Sequence, residues 1–139
     1  MTAACSMADR VERLVGAGWE LGVFRQDGAL VLGIPVESGH RSFGFEFAIS
    51  APDLAVLEGD AYRRKALDLI LHERLQPRLT RGDHHDIEAE IRPIIHAVLH
   101  GPGVGIAHII ADTPNPGFIR QHLRAAGFSD GDDQHADGL

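Results

Sequence analysis

A chain of 139 residues fits one ordinary domain, and 44% hydrophobic residues give it enough apolar surface for a core, which excludes wholesale disorder. The formal charge of −7 argues against non-specific nucleic-acid binding, which needs a cationic footprint. A lone cysteine, Cys5, excludes an intramolecular disulfide and a thiolate zinc site, and no apolar run approaches the ~18 residues of a membrane span.

Ser6-Met7-Ala8-Asp9 has the spacing of a capping box, and Val11, Leu14 and Val15 follow at helical intervals before the Gly16-Ala17-Gly18 stop. The pattern predicts a short helix over about 7–16. Alternation then takes over. Trp19, Leu21 and Val23 alternate with Glu20 and Gly22, Asp27-Gly28 signals a tight turn, and Leu30, Leu32, Ile34 and Val36 continue the period of two. Pro35 lacks a ladder donor and belongs at an edge or near a strand end. After the Glu37-Ser38-Gly39-His40 turn, Phe43, Phe45, Phe47 and Ile49 form one face of a third strand. These segments predict a three-stranded antiparallel meander with one apolar face.

Ser50-Ala51-Pro52-Asp53 opens a helix ending near Leu57, and Asp60 caps a longer one over 61–76 with Leu67, Ile70 and Leu71 for the sheet. Pro77 and Gly82 are its stop signals. Further helices are expected over 87–99 and 117–126. The stretch 104–111 fits a fourth strand or a short helix, and Ala107, His108 and Ala111 favour helix. The expected fold class is therefore α+β: an N-terminal helix, a three-stranded meander, and a helical C-terminal half packed on one sheet face. Residues 1–128 form a single domain in this reading. Residues 129–139, with Asp130, Asp132, Asp133 and Asp137, form an acidic disordered tail.

Nine histidines raise a metal question. His96 and His100 share the i, i+4 spacing of a two-imidazole site, but they lie opposite the Ile87, Ile91, Ile94, Val98 stripe and in line with Arg92. Ala97 follows His96, where a zincin motif needs Glu. The reading is a solvated histidine face with no metal or cofactor; a metal site or small enzyme built on residues 84–108, using His96 and His100, is the alternative. Gly101-Pro102-Gly103-Val104-Gly105 lacks the Gly-Lys-Ser/Thr of a phosphate loop and terminates a helix instead. Ser38, His40 and Asp27 make a hydrolase trio only on paper, without a nucleophile elbow. No catalytic residue is assigned.

Charge and the second sheet face point elsewhere. Residues 1–60 hold nine acids against four arginines, whereas residues 61–81 carry Arg63, Arg64, Lys65, Arg74, Arg78 and Arg81 against Asp68 and Glu73. Opposite the phenylalanines lie Glu20, Gly22, Val31, Gly33, Gly44 and Glu46, a low-relief face with two acids. It is either covered by the chain itself, for example by the N-terminal helix, or open to a protein partner. In the second case the partner-binding set is Glu20, Glu46 and Val31, with Asp27 and Glu37 in the flanking turns.

The segments Trp19-Glu20-Leu21-Gly22-Val23-Phe24, Asp27-Gly28, Phe43-Gly44-Phe45-Glu46-Phe47 and Ser50-Ala51-Pro52-Asp53-Leu54, on a small acidic chain, resemble in style the immunity proteins of bacterial polymorphic-toxin systems. The resemblance is one of class and covers residues 19–76. It implies a cytoplasmic inhibitor that binds a cognate toxin protein, often a nuclease, without nucleic acid or membrane. A non-catalytic adaptor that contacts an anionic partner through the basic helix at 61–81 is a further alternative.

Overall fold

The computed structural model describes residues 11–16, 21–38, 41–81 and 86–128, the side chains of 11, 35–38, 41–44 and 79–81 excepted. Strands β1 (Val11–Val15), β2 (Gly22–Gln26), β3 (Ala29–Ser38) and β4 (Arg41–Ala48) form one antiparallel sheet in sequence order. Five helices follow among the described residues: α1 (Ala51–Gly59), α2 (Ala61–Arg81), α3 (Ile87–His100), α4 (Gly103–Ala111) and α5 (Pro116–Ala125). The α+β class holds, with a helical C-terminal half. The meander has four strands, one more than expected.

The extra strand replaces part of the expected N-terminal helix. Residues 11–15 pair with β2, Val11 opposite Gln26 and Arg13 opposite Phe24, and the register then shifts so that Val15 meets Val23. That bulge explains the misleading spacing. It lets the adjacent Leu14 and Val15 both reach the core, so Val11, Leu14 and Val15 mimic one helical turn. The cap at Ser6 lies outside the described residues, as does Cys5. Gly16 follows with φ +84, and a Cβ there would come within 2.2 Å of the Leu21 carbonyl oxygen, so only glycine fits.

The Asp27-Gly28 turn forms as expected, both residues having positive φ (52° and 86°), which matches the right-handed twist of β2 and β3. Pro35 pairs with Gly44 of β4, while the described β2 pairing stops at Gly22 opposite Gly33. The proline thus lies past the end of its inner neighbour, where its missing N–H interrupts no described bond.

The core is built between the sheet and α2. Val23, Leu32, Ile34 and Phe47 come from one sheet face, and Ala66, Leu67, Ile70 and Leu71 come from α2, all buried. Phe47 is 3% exposed and Phe45 packs partly buried beside it, opposite Leu32 and Ile34 respectively; the Phe43 side chain lies outside the described residues. Asp68 is a charged exception, 7% exposed in the middle of α2. Its Oδ1 accepts the Leu21 N–H at 2.9 Å, and His72 Nδ1 (3.0 Å) and Lys65 Nζ (3.7 Å) flank it. A buried carboxylate is tolerable only when partnered in this way.

Helix ends follow local signals, with one departure. Ser50 and Asp53 form the reciprocal capping box expected for α1, and Asp60 Oδ1 caps α2 through the Arg63 N–H at 3.0 Å. α2, however, does not stop before Pro77 but runs through it to Arg81. The extra turn carries Arg78 to Glu90 of α3 at 2.6 Å, and this contact helps offset the lost backbone bond. The ambiguous stretch is α4, a helix.

Candidate functional site

The helices reach the sheet from one side, α2 against β3 chiefly, so the side chains of opposite parity form a second face. Register arranges that face in two rows: Arg13, Phe24, Val31 and Ala48 lie across the four strands, and Gly22, Gly33 and Glu46 lie across β2 to β4. The glycines set its relief. A Cβ on Gly33 would fall 3.0 Å from the Phe24 ring, and one on Gly22 would fall 3.0 Å from the Arg13 guanidinium. One edge of the Phe24 ring therefore packs close against Gly33. The Arg13 guanidinium carbon stands 5.2 Å from the Phe24 ring centroid, with Nε donating to the Val15 carbonyl at 3.3 Å. Phe24 and Val31 are half-buried, and Glu46 and Ala48 are exposed.

Of the expected partner-binding residues, the structure brings Val31 and Glu46 together on this face. Asp27 sits at the exposed β2–β3 tip, and Glu37 stands opposite Ser42 near the far end of β3. About 3.3 Å per residue puts the two roughly 30 Å apart, so they flank the face and do not share a cluster. The same separation divides Asp27 from Ser38 and dismantles the paper trio with His40. Glu20 and His40 lie outside the described residues, as do any contacts there with this face. Arg13 and Phe24 were missed. Phe24 was legible by parity with Gly22, but Arg13 was hidden inside the expected helix.

The histidine face is more structured than a solvated stripe. His96 and His100 rings stand 5.2 Å apart, but His100 Nε2 lies 2.6 Å from Asp53 Oδ1, which fastens the end of α3 to the first turn of α1. Burial alone would raise the Asp53 pKa; the Ser50 N–H, the His100 ring and the Ser50 side chain outweigh it and hold the carboxyl below its ordinary value. Arg92 bonds Glu88 at 2.7 Å and the Ala48 carbonyl, joining α3 to β4. Among the described residues no three His, Cys, Asp or Glu side chains are grouped to hold a metal ion, and His84 and His85 lie outside them.

The basic stretch at 61–81 is largely turned inward. Arg63 donates to the carbonyls of Val98 and Gly101, both at 2.8 Å, and Arg64 donates to that of Leu57 at 3.0 Å, so both engage orphan carbonyls near helix C-termini. Arg74 reaches Thr113 Oγ1 at 3.0 Å and pairs with Glu90, which Arg78 shares. An anionic partner would have to compete with these contacts, which counts against the adaptor alternative. No described helix is long and apolar enough to cross a membrane. Comparison with protein-family models, curated proteins and solved structures finds no match.

Proposed function

We propose that the protein is a non-catalytic, cytoplasmic inhibitor of the immunity type, which docks a basic cognate toxin on the outer face of its sheet and occludes the toxin's active site. The observation that carries the reading is the second sheet face itself. It holds an Arg13–Phe24 cation–π pair that packs against Gly22 and Gly33, and it exposes Glu46. Aromatic and arginine anchors surrounded by flat, small residues are the composition that binding hot spots favour. The acid excess of residues 1–60 supplies the sign of the partner, because fixed surface charge steers encounter and rejects like-charged competitors.

The test is co-expression with the product of an adjacent toxin-type gene, scored by growth and followed by calorimetry at two salt concentrations. Glu20→Lys combined with Glu46→Lys is expected to weaken protection strongly while the domain stays folded. Truncating a buried charged partner at an interface typically costs ~2–5 kcal/mol. Deleting residues 129–139 is expected to leave protection nearly intact, because ordering a polar segment costs about 1–2 kcal/mol per residue in backbone entropy. Protection that survives the double reversal but is lost with the tail rejects the sheet face.

A further inference from the structure

We infer that the free edge of β4 pairs with the β4 edge of a second copy of this chain, antiparallel and centred on Gly44. The described sheet ends on β1 and β4, and the two edges differ. β1 has five residues and a register shift between Arg13 and Val15, a short, bulged edge of the kind that resists further pairing. β4 has eight residues, keeps one register against β3 from end to end, and contains neither proline nor lysine. A long, regular edge of this kind is a template for another strand.

Hydrogen-bond parity identifies the groups on offer. The Ile49 N–H donates to the Leu30 carbonyl at 3.1 Å, so these two form a bonded pair in the register that sets Val31 opposite Ala48. Bonded and non-bonded pairs alternate along an antiparallel ladder. Phe47, Phe45, Phe43 and Arg41 therefore turn their N–H and C=O groups towards β3, whereas Ala48, Glu46, Gly44 and Ser42 turn theirs to the edge. The Arg92 guanidinium takes the Ala48 carbonyl. Among the described residues no backbone group meets those of Glu46, Gly44 and Ser42. The set left over is symmetric about Gly44.

A twofold axis at Gly44 uses all of that set. Gly44 faces its own mate, and Ser42 faces Glu46 of the second copy on both sides of the axis, the reciprocity that an isologous contact requires. An axis at Phe45 or Glu46 needs the Ala48 carbonyl, which Arg92 holds, and the second of these also sets two Glu46 carboxylates face to face. An axis at Phe43 sends Glu46 past Arg41, where the strand begins. Charge agrees with the Gly44 axis. It places a serine, a hydroxyl donor, opposite each exposed Glu46. It also holds the two carboxylates four residues apart along the seam, about 13 Å, beyond the ~8 Å over which charge is felt at physiological ionic strength. The pairing extends the sheet in its own plane, leaves the outer face open, and does not depend on the toxin reading.

A seam of one strand pair belongs with small, weak interfaces, so the test is sedimentation equilibrium of the full chain from about 10 μM to about 1 mM, with amide exchange by NMR at both ends of the range. The mass is expected to rise from one chain towards two. The Ser42, Gly44 and Glu46 amides should gain protection with concentration, while those of Phe45 and Phe47, already bonded to β3, should not change. Ser42→Glu sets two like-charged pairs across the seam and is expected to weaken the dimer about tenfold, whereas Ser42→Lys sets two opposite pairs and should strengthen it about tenfold. Combining Ser42→Glu with Glu46→Lys should restore at least the parental affinity, which a mere loss of folding would not do. A monomer at the highest concentration, or equal dimerisation in the two Ser42 variants, overturns the assignment. So does concentration-independent protection of the three edge amides in a monomer, because another segment of the same chain would then cover the edge.

Discussion

Asp68 offers the sharpest test of how the sheet is tied to its helix. Leu21 enters β2 at a site only 1% exposed, where a backbone N–H that loses its partner is costly. Its bond to Asp68 Oδ1, 2.9 Å long and spanning 47 positions, is thus a long-range link between β2 and α2. Asp68→Ala strands that donor, at about 1–3 kcal/mol, and releases His72 and Lys65 from their pairing. Lys65 is partly exposed, so its loss adds no more than ~1 kcal/mol. Asp68→Asn keeps an oxygen for the N–H and gives up only the charge. Urea unfolding should therefore place Asp68→Ala about 1–2 kcal/mol below Asp68→Asn at unchanged m value. Amide exchange at Leu21 should accelerate in the alanine variant alone. Equal losses in the two variants, or an unchanged Leu21 amide, would show that the carboxylate acts through charge and not as an acceptor.

Two further outcomes test the core and the helix junctions. Phe47→Ala, at a site 3% exposed between sheet and α2, should lose about 3–5 kcal/mol in chemical denaturation, whereas Phe118→Ala should fall within ~0.5 kcal/mol of the parent. Parental stability in Phe47→Ala would mean that the apolar sheet face is not the core. Asp53 sets a pH dependence with a defined sign. Because its folded pKa is depressed from 3.8, its contribution is complete above that unfolded value and disappears as pH falls through the lower folded one. Between neutrality and acid the parent should lose stability that Asp53→Asn has already forfeited, so the two unfolding curves should converge at low pH. Parallel curves would remove Asp53 from the account.

The middle of the chain was legible because its signals are local. Asp27-Gly28 demands positive φ at two positions, Ser50 with Asp53 closes on itself, and the Phe45, Phe47 alternation fixes which face is buried. The errors came where a tertiary feature imitates or overrides a local one. A bulge gave β1 the spacing of a helix. At Pro77, contacts from Arg74 and Arg78 to Glu90 hold together a helix whose backbone has lost a bond. The candidate site was half legible. Parity placed Val31 and Glu46 on one face, but Arg13 could be found only once β1 was known to be a strand, and no spacing rule pairs Asp68 with Leu21 or His100 with Asp53.

The inward arginines also change what the composition means for a partner. Arg63, Arg74 and Arg78 have side chains only 19%, 14% and 16% exposed, each engaged by carbonyls, Thr113 or Glu90, and Arg64 is tied to Leu57. Their charge is therefore compensated locally and projects weakly into solvent. Several acids are paired but far more exposed: Glu12 with Arg25, Glu88 with Arg92 and Asp112 with Arg74 have side chains 62%, 60% and 88% exposed, and Glu46 is exposed on the outer sheet face. With a formal charge of −7, the potential met by an approaching macromolecule is net negative, and the acids stand further into solvent than these arginines. Over the ~8 Å that charge is felt at physiological ionic strength, the basic stretch of α2 does little to cancel it. On the proposed reading, a cationic protein would be attracted from a distance by this field and then oriented by Arg13 and Phe24 at one end of the described outer face and Glu46 at the other. An anionic partner docking on α2 must first displace Arg63, Arg64, Arg74 or Arg78 from bonds that hold the helices together, so at that helix electrostatics and stability disfavour such a partner together.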